Sequence, residues 1–288
     1  MSKIQNFKNI PFVSVIITSK NSENTIGDCL ESIENQNYRS YEIIVVDNKS
    51  NDNTISVAKK YTYNIFIYGP ERSVQRNFGV KKSRGDYLLF IDSDMILSPH
   101  VIKNCVNLAS KNSDIAAIII PEESFGIGFW AKCKKLERSF YIGVDWLEAA
   151  RFYKKIFFEK AGGYDQNMIS GEDWDLSQRI KSLGKVKRIT KKIFHNEGNL
   201  SLINTIKKKF YYLQKLHPYL KKQNNRRYFI QQGSIIQRYR LFFSDSSRLF
   251  RNPVLGMGML FMKTCEFGFG ALGYILGRIK HSTLSFRT

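Results

Sequence analysis

The chain has 288 residues, of which 43% are hydrophobic and 24% charged, and this length suffices for one sizeable core or two smaller ones. The apolar fraction excludes an intrinsically disordered protein, and the six prolines exclude a proline-rich linker. The four cysteines form no CxxC pair, which argues against a disulfide scaffold or a structural zinc site and favours a reducing cytosol. The first twelve residues hold no apolar segment of signal-peptide length, so we expect the amino end to stay where it is synthesised.

The net charge of +20 is concentrated in one part of the chain. Residues 1–178 contain equal numbers of basic and acidic side chains, whereas residues 179–251 contain 19 basic residues against Glu197 and Asp245. A neutral body followed by a basic segment indicates an anionic partner for that segment, which could be a membrane surface, a nucleic acid or a polyphosphate.

Apolar strands and amphipathic helices alternate over the first 120 residues. We predict strands at 12–18, 41–47, 64–68, 87–91 and 114–120, and helices at 24–35, 53–61, 72–83 and 99–111. This alternation predicts βαβ units and a Rossmann-like α/β fold, with a mostly parallel sheet flanked by helices. In such sheets the ligand lies beyond the carboxyl ends of the strands, so the polar residues there are the first functional candidates.

The remaining chain divides into two further segments. Residues 122–200 contain an aromatic-rich helix predicted at 130–146, and we expect them to complete the domain that residues 1–121 begin. We expect residues 201–288 to form a basic and apolar helical region that associates with a membrane.

The apolar, glycine-rich segment from Pro253 to Gly277 is interrupted by Lys263 and Glu266. Either apolar half is too short to span a bilayer core of ~30 Å, and one continuous span would place both charges near its middle. One or two helices lying in the membrane interface avoid that cost. The alternative is a hydrophobic helix packed on the protein's own core. The basic residues that flank the segment, and that can bind acidic lipid headgroups, are Arg248, Arg251, Arg278 and Lys280.

Asp92 and Asp94 flank Ser93 directly after the apolar strand at 87–91. Two carboxylates at a strand end can hold a hard divalent cation and leave positions open for phosphate oxygens. Aspartate is also a common turn residue, but the place of this pair beyond a buried strand favours a metal site.

Three other polar features have both a functional and a structural interpretation. Asp47 ends the second strand and could bind a ribose or a base edge, or cap the turn that follows. Arg72, Arg76 and Asn77 share one helical turn and could face a diphosphate, or form a solvated basic face. His195 could add an imidazole ligand to the metal, although a single histidine is more often structural.

Glu172, Asp173 and Asp175 surround Trp174 just before an apparent helix at 176–183. A carboxylate at a helix amino end is stabilised as the anion, which keeps it available as a general base. The alternative is acidic capping of the helix, which contributes ~1 kcal/mol.

Together these segments resemble a family-two inverting glycosyltransferase with the GT-A fold, of the type that acts on membrane-associated, lipid-linked glycan acceptors. The resemblance covers roughly residues 11–200, and its motifs occur in the family's order. The segments that carry it are Val13–Thr18 with Asn21, Glu42–Ser50, Gln75–Gly79, Arg84–Asp94, Ala161–Asp165, Glu172–Leu176 and His195.

The resemblance implies that one sugar moves from a UDP-, GDP- or dTDP-sugar to an acceptor hydroxyl, with Mg²⁺ or Mn²⁺ as cofactor. It implies that Asp173 is the catalytic base and that Asp94, Asp92 and His195 lie at the metal. Glu172 and Trp174 are implied at the acceptor or the sugar. The implied nucleotide-sugar-binding residues are Thr18, Lys20, Asn21, Asp47, Arg72, Arg76, Asn77, Asp92 and Ser93.

Two departures from the family pattern bear on function. The position before the first-loop asparagine is often aromatic in the family, but here it is Lys20, which could touch nucleotide phosphates or reach solvent. The Gln-x-x-Arg-Trp signature of processive synthases is absent, and Gln237–Arg240 resembles it only faintly. We therefore expect a non-processive enzyme.

The leading hypothesis is a peripheral or monotopic enzyme on the cytoplasmic face of the cell membrane, bound to anionic lipid and acting on a lipid-linked glycan. A related hypothesis has a polyprenyl phosphate as the acceptor, and its ionised oxygen needs no base. A nucleic-acid-binding protein is the remote alternative, because the acidic cluster at 172–175 would repel a phosphate backbone. The glycine-rich tail could also pair with a second copy.

Overall fold

The computed structural model describes residues 10–285, without the side chains of 223–227 and 280–285. The strands are β1 (Val13–Ser19), β2 (Tyr41–Asp47), β3 (Ile65–Ile67), β4 (Tyr87–Asp92), β5 (Met95–Leu97), β6 (Ile115–Ile119), β7 (Glu122–Ile127), β8 (Phe152–Lys154), β9 (Lys185–Arg188) and β10 (Ile193–Asn199). The helices are α1 (Ile26–Glu34), α2 (Thr54–Ala58), α3 (Arg72–Lys82), α4 (Val101–Ser110), α5 (Phe129–Ser139), α6 (Lys155–Lys160), α7 (Glu172–Lys181), α8 (Leu202–Gln214), α9 (His217–Lys221), α10 (Gln223–Gln232), α11 (Ile235–Phe243), α12 (Ser246–Leu249) and α13 (Pro253–Ser285).

A seven-stranded sheet forms the centre of the fold, in the order β3-β2-β1-β4-β8-β6-β9. The four strands β3, β2, β1 and β4 are parallel, and so are β6 and β9, whereas β8 runs antiparallel between β4 and β6. The mostly parallel α/β sheet predicted from the sequence is confirmed.

Helices cover both faces of this sheet, which is why its central strands are apolar without alternation. Val15 and Ile17 of β1 belong to a core that includes residues of α1 and α4. Ile16 points to the other face, into a core with Val80 of α3 and Leu176 of α7. The carboxyl ends of β1, β2 and β4 therefore form one firmly held edge.

A second, three-stranded sheet has the order β5-β10-β7. β5 follows Asp94 immediately, and it pairs antiparallel with β10 so that Met95 is opposite His195. This small sheet brings the end of β4 to a segment a hundred residues further along the chain. The sequence prediction lacked its three strands, as well as β8 and β9.

Two helix boundaries differ from the predicted ones. The helix predicted at 130–146 ends at Ser139. The helix predicted at 176–183 begins earlier, at Glu172, because Gly171 adopts a left-handed φ of 83° and turns the chain into α7. The acidic residues therefore lie inside the first turn of α7, and no side chain forms an N-cap hydrogen bond there.

The carboxyl-terminal apolar segment forms one continuous helix, α13, which packs against α8 and α5. A Cβ atom added at Gly273 would lie 2.4 Å from the backbone oxygen of Phe210, and one at Gly277 would lie 2.4 Å from that of Gln214. The two helices therefore touch through their backbones. Gly273 and Gly277 of the glycine-rich tail are thus covered by α8.

Lys263 and Glu266 of α13 are buried against α5, where they meet Lys134 and Glu137. Lys263 Nζ lies 2.6 Å from Glu137 Oε1 and 2.7 Å from Glu266 Oε2. Lys134 Nζ lies 2.8 Å from both glutamates. These four side chains form a closed ring of alternating charge, here called the tail ring. The two charges that interrupt the apolar segment thus face the protein.

The opposite face of α13 is exposed and apolar. Its exposed residues are Val254, Met257, Phe261, Phe269, Leu272, Ile275, Leu276 and Ile279. Within the described part of the chain, one helix, Pro253–Ile279, has the length and composition of a membrane span, and a third of its most apolar window is buried. Of the basic residues predicted to flank it, Lys280 lies outside the described side chains.

Candidate functional site

A cavity of about 360 Å³ opens at the carboxyl end of β4. It lies where sheets of this type bind their ligands. Another wall comes from α8, through Lys208, Lys209 and Tyr212. The predicted site residues that line the cavity are Arg72, Asp92, Glu172, Asp173, Trp174 and His195.

The buried guanidinium of Arg76 joins two carboxylates at this cavity. Its Nη2 donates to Asp92 Oδ1 at 2.9 Å, and its Nη1 donates to Asp173 Oδ1 at 3.0 Å. Glu172 Oε1 lies 3.8 Å from the same Nη1, and the ring of Tyr164 lies 5.0 Å from the guanidinium carbon. A buried cation is stable only when it is paired. Arg76 therefore holds the carboxylates of Asp92 and Asp173 on either side of a single guanidinium group.

A second arginine, Arg151, binds the other oxygen of Asp92. Its Nη1 lies 3.5 Å from Asp92 Oδ2, and its Nε donates to Glu122 at 2.5 Å. Burial alone would raise the pKa of Asp92, but Arg76, Arg151 and Arg72 outweigh it and hold that pKa well below its usual range. Sequence reasoning missed Arg151. Its position follows from the pairing of β8 with β4, which no local pattern reveals.

Asp94 and His195 meet because β5 pairs with β10. His195 Nε2 lies 3.2 Å from Asp94 Oδ2. Burial alone would lower the pKa of His195, but its hydrogen bond to Asp94 and the charges of Asp94 and Glu197 raise it. Asp94 Oδ1 and His195 Nδ1 are buried, and the described residues offer neither atom a hydrogen-bond partner.

A carboxylate and an imidazole that face each other at 3.2 Å fit a divalent cation. The described residues contain no group of three or more His, Cys, Asp or Glu side chains placed to hold a metal. Asp94 and His195 therefore supply two ligands at most. Both oxygens of Asp92 are already bound by arginines, which leaves Asp94 and His195 better placed for a cation.

The two carboxylates at the start of α7 have different surroundings. Glu172 is buried, and burial together with Asp173 raises its pKa to about 7, although Arg72 and Arg76 act in the opposite direction. The Asp173 side chain is 36% exposed and faces the cavity. Because α7 has no side-chain cap, capping does not account for these residues. Asp173 can accept a proton from a molecule in the cavity.

The residues predicted to bind the nucleoside tie together the loops after β1 and β2. Asp47 is fully buried and accepts from the backbone N of Ser50 at 2.7 Å. The backbone N of Asn21 donates to Ser50 Oγ at 2.7 Å. Lys20 Nζ donates to the backbone oxygen of Asn48 at 2.6 Å, so its amine is held by this loop.

The remaining predicted residues lie at the same edge of the sheet. Thr18 donates to Asp92 Oδ1 at 3.2 Å, and Ser93 Oγ donates to Ser22 Oγ at 2.8 Å. Asn77 exchanges hydrogen bonds with the backbone of Tyr164, so it positions the Gly-Gly-Tyr loop. The roles of these residues towards a ligand stay predictions.

The family of this chain follows from comparison with known proteins. The glycosyl transferase family 2 profile matches residues 14–166, more than half of the chain. The chain belongs to glycosyl transferase family 2. The predicted enzyme class, a nucleotide-sugar-dependent glycosyltransferase, is confirmed for this domain. The match includes Arg76, Asp92 and Asp94, whereas Asp173 and His195 lie beyond it.

Three curated relatives illustrate the sequence likeness. An uncharacterized glycosyltransferase of Haemophilus influenzae is 30% identical over 202 residues, covering 63% of this chain and 62% of its own. A poly(ribitol-phosphate) beta-glucosyltransferase of Bacillus spizizenii is 34% identical over 116 residues, covering 36% of this chain and 18% of its own. The poly(ribitol-phosphate) beta-N-acetylglucosaminyltransferase TarP of Staphylococcus aureus is 29% identical over 167 residues, covering 51% of this chain and 50% of its own. The glycosyltransferase thus spans less than two thirds of each relative.

Two solved structures share the fold. The mannosyltransferase PcManGT from Pyrobaculum calidifontis, in complex with GDP-Man and Mn²⁺, superposes with a TM-score of 0.61 at 14% identity, covering 93% of this chain and 88% of its own. S. aureus TarS superposes with a TM-score of 0.50 at 16% identity, covering 91% of this chain and 55% of its own. The predicted GT-A fold is confirmed.

Proposed function

We propose that this glycosyltransferase moves one sugar from a nucleotide-sugar to a hydroxyl group of a lipid-linked glycan or a related acceptor, with inversion at the anomeric carbon. The observation that carries the proposal is the Arg76 bridge. It holds Asp173 at the cavity wall and one guanidinium away from Asp92, at the edge of the sheet where a nucleotide-sugar is expected.

In this reaction Asp173 acts as the general base. Its carboxylate takes the proton of the acceptor hydroxyl while that oxygen attacks the anomeric carbon from the face opposite the nucleotide. The hydrogen bond from Arg76 orients the Asp173 carboxylate at the cavity wall. One displacement inverts the configuration, and no covalent sugar–enzyme intermediate is needed.

Asp94 and His195, whose side chains lie 3.2 Å apart, would hold a Mg²⁺ or Mn²⁺ ion. When bound, the cation neutralises the departing nucleoside diphosphate. PcManGT, solved with GDP-Man and Mn²⁺, supports this choice. Arg72, at the cavity wall, would add a second positive charge for the diphosphate.

The acceptor proposal has support from two relatives, whose names give poly(ribitol-phosphate) as the molecule they glycosylate. A polyol phosphate chain offers many free hydroxyl groups, as a glycan does. The absence of the Gln-x-x-Arg-Trp signature supports transfer of one sugar at a time.

We also propose that the enzyme binds the cytoplasmic face of the membrane with the exposed apolar face of α13 in the interface. The tail ring supports this arrangement, because a helix that left α5 to span the bilayer alone would take Lys263 and Glu266 from their partners. Arg248 and Arg251, at the amino end of α13, can bind anionic headgroups.

A second candidate function is transfer to a polyprenyl phosphate. Lys208 and Lys209 on the cavity wall favour it, because cations there could bind an acceptor that carries its charge at the reacting oxygen. Such an oxygen is ionised and needs no base. Replacement of Asp173 by Asn would spare this reaction and stop transfer to a hydroxyl.

The test of the transferase proposal is hydrolysis of a panel of UDP-, GDP- and dTDP-sugars with Mg²⁺ or Mn²⁺. We expect slow hydrolysis of one donor, abolished in Asp94→Ala and retained in Asp114→Ala, which removes a surface aspartate paired with Lys185. If no donor is hydrolysed and none raises the unfolding temperature, the proposal is wrong and a binding or scaffold role replaces it.

A further inference from the structure

Helix α8 gives the catalytic cavity a basic wall. Lys208, Lys209 and Tyr212 line the same cavity as Asp173. The Tyr212 hydroxyl also accepts a hydrogen bond from Arg72 Nη2 at 3.4 Å. The wall therefore offers several donors to a ligand that lies beside the proposed base.

The position of this wall is fixed by α13. The backbone contacts at Gly273 and Gly277 leave no room between the two helices. A Cβ atom added at Gly270 would lie 3.5 Å from Lys209 Cγ, so the stem of this lysine packs on Gly270. The side chain of Lys209 therefore lies between α13 and the cavity that it lines.

Lys209 is the unmatched charge beside the tail ring. In that ring Lys134 and Lys263 balance Glu137 and Glu266. Among the described residues, no carboxylate oxygen lies within 4.0 Å of Lys209 Nζ, the distance limit for an ion pair. Burial and the neighbouring Lys263 lower the pKa of Lys209 to about 8. A half-buried ammonium without a counter-ion is costly, and an anion entering from the cavity would remove that cost.

We propose that Lys209, with Lys208 beside it, binds a phosphate group of the acceptor. This inference rests on the proposed function, because it assigns the acceptor side of the same cavity. Phosphate oxygens accept strong, charge-assisted hydrogen bonds from ammonium groups. Two adjacent lysines together offer more hydrogen-bond donors and more positive charge than a ligand with one carboxylate could engage. A phosphate group therefore suits them better than a carboxylate does. The bound phosphate would lie in the same cavity as Asp173.

The phosphate could come from a phosphodiester within a polymer or from a polyprenyl phosphate carrier. Both present anionic phosphate oxygens to Lys209. They differ in what surrounds the phosphate, because the first is water-soluble and carries hydroxyl groups, whereas the second ends in an apolar chain. Two probes separate these sources: a short oligo(glycerol phosphate), and farnesyl phosphate in neutral detergent micelles.

The test is calorimetric titration of each probe into the full chain, saturated with Mn²⁺ and the nucleotide that the donor panel identifies. We expect Lys209→Met to raise the Kd of the bound probe at least about tenfold, and Lys209→Arg to restore most of the affinity. Lys207→Met is the matched control, because Lys207 is exposed on the same helix and does not line the cavity. We expect no change there.

Binding of either probe with this pattern supports the inference and names the source of the phosphate. The inference is overturned if neither probe binds, if Lys209→Met binds as tightly as the wild type, or if Lys207→Met weakens binding equally. Should Lys209→Met fail to fold, Lys208→Met replaces it with the same expectation. If the wild-type protein hydrolyses a nucleotide-sugar but binds neither probe, this inference is wrong and the transferase proposal stands.

Discussion

Two networks of buried charge, one at the cavity and one under α13, differ in how fully their charges are paired. In the tail ring, each of Lys134, Glu137, Lys263 and Glu266 meets two opposite charges at 2.6–2.8 Å. At the cavity, Asp94 and His195 keep buried atoms for which the described residues supply no hydrogen-bond partner.

This difference separates a structural network from a functional one. A closed ring gains nothing from a ligand, so its role is to fasten α13 to α5. An open network is completed by what enters the cavity, because buried polar atoms without partners are costly. The two networks should therefore respond differently to substitution, the first in stability and the second in activity.

The largest effect is expected from Asp173→Asn, which replaces the proposed base by an amide of similar shape. Transfer of a labelled sugar to a poly(ribitol-phosphate) or membrane acceptor should fall roughly 10²- to 10⁴-fold. The measurement is the rate of label incorporation, with Asp114→Asn as control. Undiminished transfer would remove the base role and favour a phosphate acceptor.

The next effect is on stability. Lys263→Met leaves the two glutamates of the tail ring with one lysine, and should lower the free energy of unfolding by about 3–5 kcal/mol. The double variant Lys263→Met/Glu266→Gln restores the balance of charge, and should cost less than the sum of the single variants. Urea unfolding followed by circular dichroism measures both. Additive effects would show that the ring does not act as a unit.

A smaller loss of stability is expected at the contact between α8 and α13. Gly273→Ala places a Cβ atom 2.4 Å from a backbone oxygen and should destabilise the protein by about 1–3 kcal/mol. Gly268→Ala is the matched control, because a Cβ atom there meets nothing within 4 Å. It should be neutral or add up to ~1 kcal/mol of stability. Equal effects of the two variants in the same unfolding assay would contradict the close contact.

The last expected effect is a pH dependence of stability. The pKa of Glu172 is raised from 4.5 to about 7, so the folded protein binds a proton that the unfolded chain releases. Stability is therefore lost as the pH rises between these values, and Gln at this position avoids that loss. The unfolding temperature of Glu172→Gln relative to the wild type should increase from about pH 5 to about pH 8. A difference that does not change with pH would contradict the raised pKa.

The sequence was sufficient for the parallel half of the fold. Long apolar strands such as β1, β2 and β4 have a strong pattern, and Asp92 and Asp94 follow from where β4 ends. The short strands β5, β8 and β9 have three or four residues each, too few to show a period. Their pairing depends on contacts with distant segments.

The candidate site was predictable as a set of residues but not as a network. Asp94 and His195 were predicted at one metal, and the structure brings them together through β5 and β10. Arg151 and Lys209 carry no local motif, because each acquires its role from contacts with a segment far along the chain. The same holds for Lys263, whose partner Glu137 is 126 residues away. From the sequence, where Glu137 could not be identified as its partner, Lys263 was interpreted only as a charge that interrupts an apolar segment.

The most direct test of the contrast between the two networks compares Arg76→Lys with Lys263→Met. Lysine keeps the charge but cannot donate to Asp92 and Asp173 together as the arginine fork does. Donor hydrolysis is measured at a temperature below the unfolding transition of both variants. We predict at least a tenfold loss for Arg76→Lys, and near wild-type hydrolysis for Lys263→Met despite its lower stability. Wild-type hydrolysis by Arg76→Lys, or an equal loss in both variants, would contradict the assignment of the catalytic centre.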